Sequence, residues 1–342
     1  MHVPKNNDFL ISICIANFNG ENLLVDCIDS ILNQQGDLKF EIIVHDDAST
    51  DKSLQILSSY PDVVVIRSAE NVGFCVANNR MVNKAQGRWV LLLNNDAALL
   101  PDALDTLVNH ALSPGTSRIL SLPQYDWVTG KIVDRGCLLD AMHVPVPNLN
   151  PNRDRVAYVI GACLWISRSD WIKLGGFPEW MQSIGEDLFL CANARLNGMH
   201  IEVSKLSGYR HRQGVSFGGN RAAENKLSTN YRRRYLSERN RAAVMVICTP
   251  GVLWIPWISL HLLLLMLEGL CISMAKFSTQ PWSKIYGATF IWLWLEKKKI
   301  FDYRESIQKN KKIGFFLYLK DAYTYSFRKI SMLVRHGLPS LK

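Results

Sequence analysis

The chain has 342 residues, of which 48% are hydrophobic and 20% charged, so it can bury a large core and is not a disordered polypeptide. The net charge of +9 is uneven: residues 1–200 carry 15 Lys and Arg against 22 Asp and Glu, and residues 201–342 carry 24 against 8. This asymmetry predicts two surfaces with different partners, the basic one facing anionic lipid or another polyanion.

The first part of the chain alternates strand-like and helix-like segments. Predicted strands are Leu10–Ala16, Phe40–His45, Val63–Arg67 and Arg88–Leu93, and predicted helices are Glu21–Gln35, Asp51–Tyr60, Phe74–Gln86 and Asp102–Leu112. Apolar strands that alternate with helices indicate an α/β fold with a mostly parallel sheet flanked by helices. Residues 118–160 suggest a strand pair and a long loop, followed by a strand at Tyr158–Ser167, a helix at Gly185–Asn197 and a strand at His200–Ser204.

Eight dispersed cysteines form no CxxC pair, which predicts buried, reduced thiols. Residues 1–8 are polar and the apolar run after them is short, so no secretory signal peptide is expected there. Both features favour a cytoplasmic location for the first part of the chain.

Polar residues follow each of the first four predicted strands, where ligands of open α/β sheets bind. An edge with so many carboxylates would repel a bare phosphate, unless a divalent cation mediates the contact. Each residue alone is also compatible with a turn or a helix cap, and this alternative stays open for Asp96. The residues at the strand ends include Asn17, Asp46, Asp47, Asn71, Gly73, Asn94, Asn95 and Asp96.

Seven motifs, in this order and spacing, resemble the inverting family 2 glycosyltransferases of GT-A (Rossmann-like) fold over about residues 8–245. The nearest similarity is to the bacterial rhamnosyltransferase-like branch, whose members build surface polysaccharide on lipid carriers. The motifs are Asp46–Asp51, Glu70–Asn79, Leu91–Asp96, Gly161–Arg168, Gly175–Glu179, Gly185–Cys191 and His211 with Ser216.

The resemblance implies a divalent cation, Mg²⁺ or Mn²⁺, held by Asp96 with His211 as a further ligand. The imidazole would suit Mn²⁺ better than Mg²⁺. The family's metal motif is usually Asp-x-Asp, and here its first position is Asn94. Metal dependence would therefore rest on one carboxylate and be weaker. A surface role for His211 is the alternative.

The resemblance also implies a general base at Asp187, with Glu186 orienting the base or the acceptor. A carboxylate pair in a first helical turn is alternatively explained by the helix macrodipole. The donor nucleotide would lie against residues at the strand ends and the start of the third helix. These donor-binding candidates are Asn17, Asp47, Asn71, Gly73, Asn78, Asn94 and Asn95.

The C-terminal region is predicted to contact a membrane. Residues 252–275 are almost wholly apolar and long enough to span a bilayer, but they contain His261 and Glu268 and are flanked by basic segments on both sides. This pattern favours an in-plane or re-entrant element on the cytoplasmic leaflet, with a spanning helix and a buried core helix as alternatives. We expect a catalytic domain at residues 1–220 and a basic, helical, membrane-associated region at 221–342.

The predicted reaction is sugar transfer from a nucleotide-diphosphate sugar, dTDP-rhamnose or a UDP-hexose, to a saccharide or a polyprenyl-diphosphate-linked acceptor. The expected place is the cytoplasmic face of the inner membrane, in cell-surface polysaccharide biosynthesis, without a nucleic-acid partner. The first strand is followed by neither GxGxxG nor a P-loop, which excludes a common dehydrogenase or NTPase. A nucleotidyltransferase and an inactive GT-A-like membrane scaffold remain as alternatives.

Overall fold

The computed structural model describes residues 10–115, 117–214, 219–223, 226–337 and 340–341. The first part follows the predicted alternation with small shifts at element ends. Its elements are β1 Ile11–Asn17, α1 Leu24–Leu32, β2 Phe40–Asp46, α2 Ser53–Leu57, β3 Val63–Arg67, α3 Phe74–Lys84, β4 Trp89–Asn94, β5 Ala97–Leu99 and α4 Ala103–Leu112.

The middle part is richer in strands than the sequence suggested. Residues 118–160 contain five short strands rather than one pair, and the strand predicted from Tyr158 begins only at Cys163. The elements are β6 Arg118–Ser121, β7 Gln124–Asp126, β8 Ile132–Asp134, β9 Cys137–Leu139, β10 Pro145–Pro147, β11 Cys163–Ser167, α5 Arg168–Leu174, α6 Glu186–Leu196, β12 His200–Val203 and β13 Tyr209–His211.

The last part is mostly helical. Its elements are β14 Gly219–Ala223, β15 Lys226–Thr229, α7 Tyr231–Cys248, α8 Trp254–Ala275, α9 Gly287–Leu295, α10 Lys297–Lys309, α11 Phe315–Leu319, α12 Arg328–His336 and β16 Ser340–Leu341. A π-helical turn, Trp282–Tyr286, precedes α9.

The central sheet has the strand order β12-β6-β11-β4-β1-β2-β3 in the described part of the chain. Every neighbouring pair is parallel except those of β11, which is antiparallel to both β4 and β6. The prediction of a mostly parallel sheet flanked by helices is confirmed. A smaller sheet, β5-β13-β7-β8, lies beyond the end of β4.

Two apolar cores cover the two faces of the central sheet. Alternate residues of β1 divide between them: Ile13 packs with α1 and α4, and Cys14 packs with α3, α6 and α7. Seven of the eight cysteines are buried and all eight are free thiols, whereas Cys271 is exposed. Helix α7 thus belongs to the same core as the sheet, which fixes its side chains relative to the strand ends.

The C-terminal segment returns to the middle of the chain. The backbone amide of Leu139 donates to the Ala322 carbonyl oxygen (2.9 Å), and that of Thr324 donates to the Leu139 carbonyl oxygen (2.8 Å). The Arg328 amide then donates to Asp140 Oδ2 (3.0 Å). These bonds bring α12 beside the carboxyl edge of the sheet.

Candidate active site

Asn17 joins the ends of three strands at the carboxyl edge of the sheet. Its buried amide nitrogen donates to Asp46 Oδ2 (3.0 Å) at the end of β2, and its Oδ1 accepts from the amide nitrogen of Asn95 (2.8 Å) after β4. A satisfied buried amide network of this kind fixes the relative positions of the strand ends.

Asp47 holds the loop that leads into α3. Its two carboxylate oxygens accept from the backbone amides of Val72 (2.8 Å) and Gly73 (2.9 Å). Gly73 has φ +87°, in the left-handed region that favours glycine. The exposed Asn71 is in the same loop, so three predicted donor-binding residues form one wall of a cleft.

Asp96 and His211 meet because β5 pairs with β13 antiparallel and in register, His211 opposite Ala97. The two side chains are buried, and His211 Nε2 lies 3.0 Å from Asp96 Oδ1. Two residues that are 115 positions apart in the chain are therefore direct partners. The sequence had grouped them only through the family resemblance.

Gln124 contacts the other ring nitrogen of His211. Its Oε1 accepts from the Tyr209 hydroxyl (2.9 Å) and lies 3.3 Å from His211 Nδ1. With the amide oriented in this way, Nδ1 carries a proton. A neutral ring would then place the Nε2 lone pair against a carboxylate oxygen, so the Asp96 contact requires a bridging positive charge, either a proton or a metal ion.

The pair fits part of a metal site. Asp96 and His211 supply one hard and one borderline ligand, and the buried Oδ1 of Asn94 has no hydrogen-bond partner among the described residues. No group of three His, Cys, Asp or Glu side chains converges in the described ranges. The oxygens of a bound diphosphate or of water would add ligands of the type that divalent cations prefer.

Glu186 and Asp187 begin α6. Asp187 Oδ2 accepts from the Gly161 amide (3.1 Å) and its Oδ1 from the Leu188 amide (2.7 Å), whereas Glu186 Oε2 is buried without a partner among the described residues. Burial raises the pKa of both carboxyls, and the neighbouring Asp187 charge raises the pKa of Glu186 further. Such a pair can hold or accept a proton near neutral pH.

One cavity of about 1430 Å³ joins these groups. Its lining includes Asp96 with His211 and Glu186 with Asp187, together with the predicted donor-binding residues Asn17, Asp47, Asn71, Gly73, Asn94 and Asn95. Asn78 differs from this set: it is buried within α3, where its amide nitrogen donates to the Phe74 carbonyl oxygen (2.9 Å). Ser216, part of the last motif, lies outside the described residues.

Sequence reasoning missed the clamp that holds the loop before α6. Within that loop Gln182 and Ile184 have positive φ of 64° and 68°, a strained conformation, above all for a β-branched side chain. The Asn240 amide nitrogen donates to the carbonyl oxygens of Met181 (3.0 Å), Ser183 (3.1 Å) and Ile184 (2.7 Å). Arg239 donates to Met181 as well (3.1 Å). Helix α7 thus positions the Glu186–Asp187 pair.

The α/β sheet with its polar carboxyl edge defines a GT-A fold, and solved structures agree with this assignment. The structure of GalNAc-T7 with UDP, GalNAc and Mn²⁺ is 17% identical and covers 71% of this chain and 48% of that one, with a TM-score of 0.56. Mannosyltransferase PcManGT from Pyrobaculum calidifontis, with GDP-Man and Mn²⁺, is 15% identical and covers 88% and 86%, with a TM-score of 0.51.

Residues 12–173, just under half of the chain, match the family model described as glycosyl transferase family 2. A relative from Bacillus spizizenii, poly(ribitol-phosphate) beta-glucosyltransferase, is 36% identical over 202 residues, which are 57% of this chain and 31% of that protein. The chain spans about a third of the length of the curated relatives it matches.

Proposed function

We propose that this protein transfers a sugar from a nucleotide-diphosphate sugar to a hydroxyl of a saccharide or lipid-linked acceptor, with inversion at C1, in cell-surface polysaccharide biosynthesis. The observation that carries the proposal is the shared cavity, which Asp96 with His211 and Glu186 with Asp187 all line. A donor and an acceptor could therefore meet between these two groups.

In the proposed mechanism, Asp187 takes the proton of the acceptor hydroxyl while that oxygen attacks C1 opposite the leaving diphosphate. Glu186 orients the acceptor or the base. Asp96 and His211 hold a divalent cation, which when bound would offset the charge of the leaving nucleoside diphosphate. Asn17, Asp47, Asn71 and Gly73 face the nucleoside of the donor.

The relatives support sugar transfer as the reaction class, but they differ in the donor sugar and nucleotide. The Bacillus spizizenii relative is a glucosyltransferase that acts on poly(ribitol phosphate), and the two structural neighbours hold UDP with GalNAc and GDP-Man. We propose dTDP-rhamnose as the first donor to test, because of the branch resemblance, and UDP-hexoses next. Release of nucleoside diphosphate from a panel of donors by the purified chain tests this. A chain that turns over none, alone or with saccharide acceptors, would refute the transferase proposal.

Because Asn240 holds the loop before α6, its replacement is expected to lower kcat strongly even though Asn240 need not touch substrate. Asn240→Ala removes three hydrogen bonds to the strained loop, and we expect kcat to fall roughly 10²-fold because the Glu186–Asp187 pair shifts. The donor KM should change little, since the strand ends are untouched. Asn310→Ala, at an exposed position after α10, is the matched control and should keep full activity. An Asn240→Ala protein with parental kcat would mean that the loop needs no clamp.

We propose that residues 221–342 associate with a cytoplasmic membrane surface through α8, lying in the plane of the leaflet. Among the described residues, α8 is the helix long and apolar enough to cross a membrane, but one face of it packs on protein. The buried residues of that face are Ile258, His261, Leu265, Gly269 and Ile272. Glu268 pairs with Arg234 of α7 (2.6 Å) and with Lys329 of α12, so its charge has protein partners.

The opposite face of α8 exposes leucines and Met274, and a helix with one protein face and one apolar face suits an interfacial position. Single cysteines at the exposed positions Val252 and Phe277, on a Cys271→Ser background, test this in sealed vesicles. Both should react with an impermeant maleimide from the side that carries the catalytic domain. Reaction of the two from opposite sides would instead mean a spanning helix.

A further inference from the structure

The cavity continues beyond Glu186 and Asp187 into a second compartment between α8 and α12. We call this region the α8–α12 compartment. It is lined by Arg233 at the start of α7, Leu264 and Leu265 of α8, and Arg328, Lys329 and Ile330 of α12. None of these residues is needed for the proposed donor site at the strand ends.

The inner part of the compartment holds a cluster of charged side chains. Glu238 and Glu268 are contacted by three basic side chains, Arg234, Arg241 and Lys329. Burial and the neighbouring Arg241 lower the pKa of Lys329 well below its ordinary value, and Asp140 acts on Arg241 as a further carboxylate. Basic groups that crowd one another in this way are stabilised by an additional anion.

Two further guanidinium groups line the same compartment. Neither Arg233 nor Arg328 makes a side-chain hydrogen bond or ion pair within the described ranges. Desolvation lowers the pKa of Arg233, and the charges of Glu186 and Asp187 act in the opposite direction. Arg233 thus lines the cavity within electrostatic reach of the proposed catalytic pair. Guanidinium groups with free donors are the usual ligands of phosphate oxygens.

The outer part of the compartment is apolar and opens at the surface. Leu264 and Ile330 line the cavity, and 42% and 60% of their respective surfaces are exposed. Leu333 of α12 lies in the same wall and is 48% exposed. An apolar opening next to a cationic interior is complementary to an amphipathic anion rather than to a free sugar or a free phosphate.

We infer that the α8–α12 compartment binds an acceptor in which a phosphate or diphosphate group joins the sugar to an apolar chain. Arg233 and Arg328 bind the phosphate, the chain lies between α8 and α12, and the sugar hydroxyl reaches Asp187. The inference rests on the proposed function and deepens it, because it selects a lipid-linked acceptor over a water-soluble saccharide.

Cys271 provides a direct readout. It is the exposed member of the eight cysteines and lines this cavity. The full chain in detergent is treated with a maleimide in the presence of farnesyl diphosphate, pyrophosphate, farnesol or UDP. We expect farnesyl diphosphate to slow labelling of Cys271 at least several-fold, and the other three to have little effect. Absence of protection, or equal protection by pyrophosphate or UDP, overturns the inference.

Variants test which charged side chain binds the phosphate group of farnesyl diphosphate. Arg328→Gln should raise the farnesyl diphosphate concentration that gives half-protection roughly tenfold, as expected for the loss of a charge-assisted hydrogen bond. Arg335→Gln, an exposed α12 position outside the cavity, is the matched control and should leave that concentration unchanged. Circular dichroism checks that both variants fold. An unchanged half-protection concentration in folded Arg328→Gln contradicts the assigned phosphate contact.

The labelling assay separates this inference from the proposed function, because it requires no sugar transfer. Transfer to a water-soluble saccharide without protection of Cys271 leaves the glycosyltransferase proposal standing and removes the lipid acceptor. Protection of Cys271 in a chain that turns over no donor would support the binding compartment and contradict the glycosyltransferase proposal.

Discussion

Replacement of Asp187 by Asn is expected to lower the rate of sugar transfer roughly 10²–10⁴-fold, the usual contribution of a positioned general base. The amide has the size of the carboxylate and its oxygen can still accept from the Gly161 or the Leu188 backbone, so the start of α6 should persist. Donor KM should stay near the parental value, because Asp187 acts on the acceptor. The measurement is steady-state transfer to a fixed acceptor.

Glu186→Gln is the matched comparison: Glu186 Oε2 has no partner among the described residues, and the raised pKa of Glu186 favours its neutral form, so the amide should cost about tenfold or less. A Glu186→Gln protein that is slower than Asp187→Asn would move the base to Glu186. Parental rates in both variants would remove the proposed mechanism.

The pH profile gives a second readout of the same base. Burial raises the pKa of Asp187, and a base must be ionised to act, so the rate should fall as pH falls through that raised value. The acid limb is therefore expected above about 3.9, the ordinary pKa of an aspartate side chain. An acid limb of the pH–rate profile at or below the ordinary aspartate pKa would contradict a buried base. The Asp187→Asn variant should lose this acid limb.

Local sequence pattern was sufficient for the parallel part of the sheet. Val63–Arg67 has the same bounds in prediction and structure, because a short β-branched run between turn residues has few alternatives. Residues 118–160 were less predictable: β7 pairs locally with β8, but β6 and β7 belong to different sheets, and their other partners, β11, β12 and β13, come 40 or more residues later in the chain. Such pairings leave little trace in local composition.

The residues of the candidate site also divide into those that the sequence reveals and those that it does not. Strand ends such as Asn17 and Asp96 are visible from sequence, because they directly follow apolar runs. The role of Asn240 is not visible, since it arises from contacts with carbonyl groups 56 to 59 positions earlier. Asn78, predicted from the family motif, is buried within α3, and its amide nitrogen donates to the Phe74 carbonyl oxygen.

Replacement of Asp96 by Asn should have the second large effect, a fall in rate of about 10²-fold or more together with the loss of a response to added Mn²⁺. The physical reason is the proton arrangement around His211. With an Nδ1 proton directed at Gln124 Oε1, the 3.0 Å contact between Nε2 and Asp96 Oδ1 needs a proton or a metal ion between the two atoms. In the variant, the amide group satisfies Nε2 by donating a hydrogen bond, so the pair no longer requires a cation.

The experiment is a Mn²⁺ and Mg²⁺ titration of sugar transfer after treatment with chelator. The parent should lose activity and regain it with added metal, and His211→Gln should need more metal and favour Mn²⁺ less. Asp62→Asn, in the exposed turn before β3, serves as control and should match the parent. Chelator-resistant activity in the parent would show that the positive charge between Asp96 and His211 is a proton, and the role of the pair would then be structural.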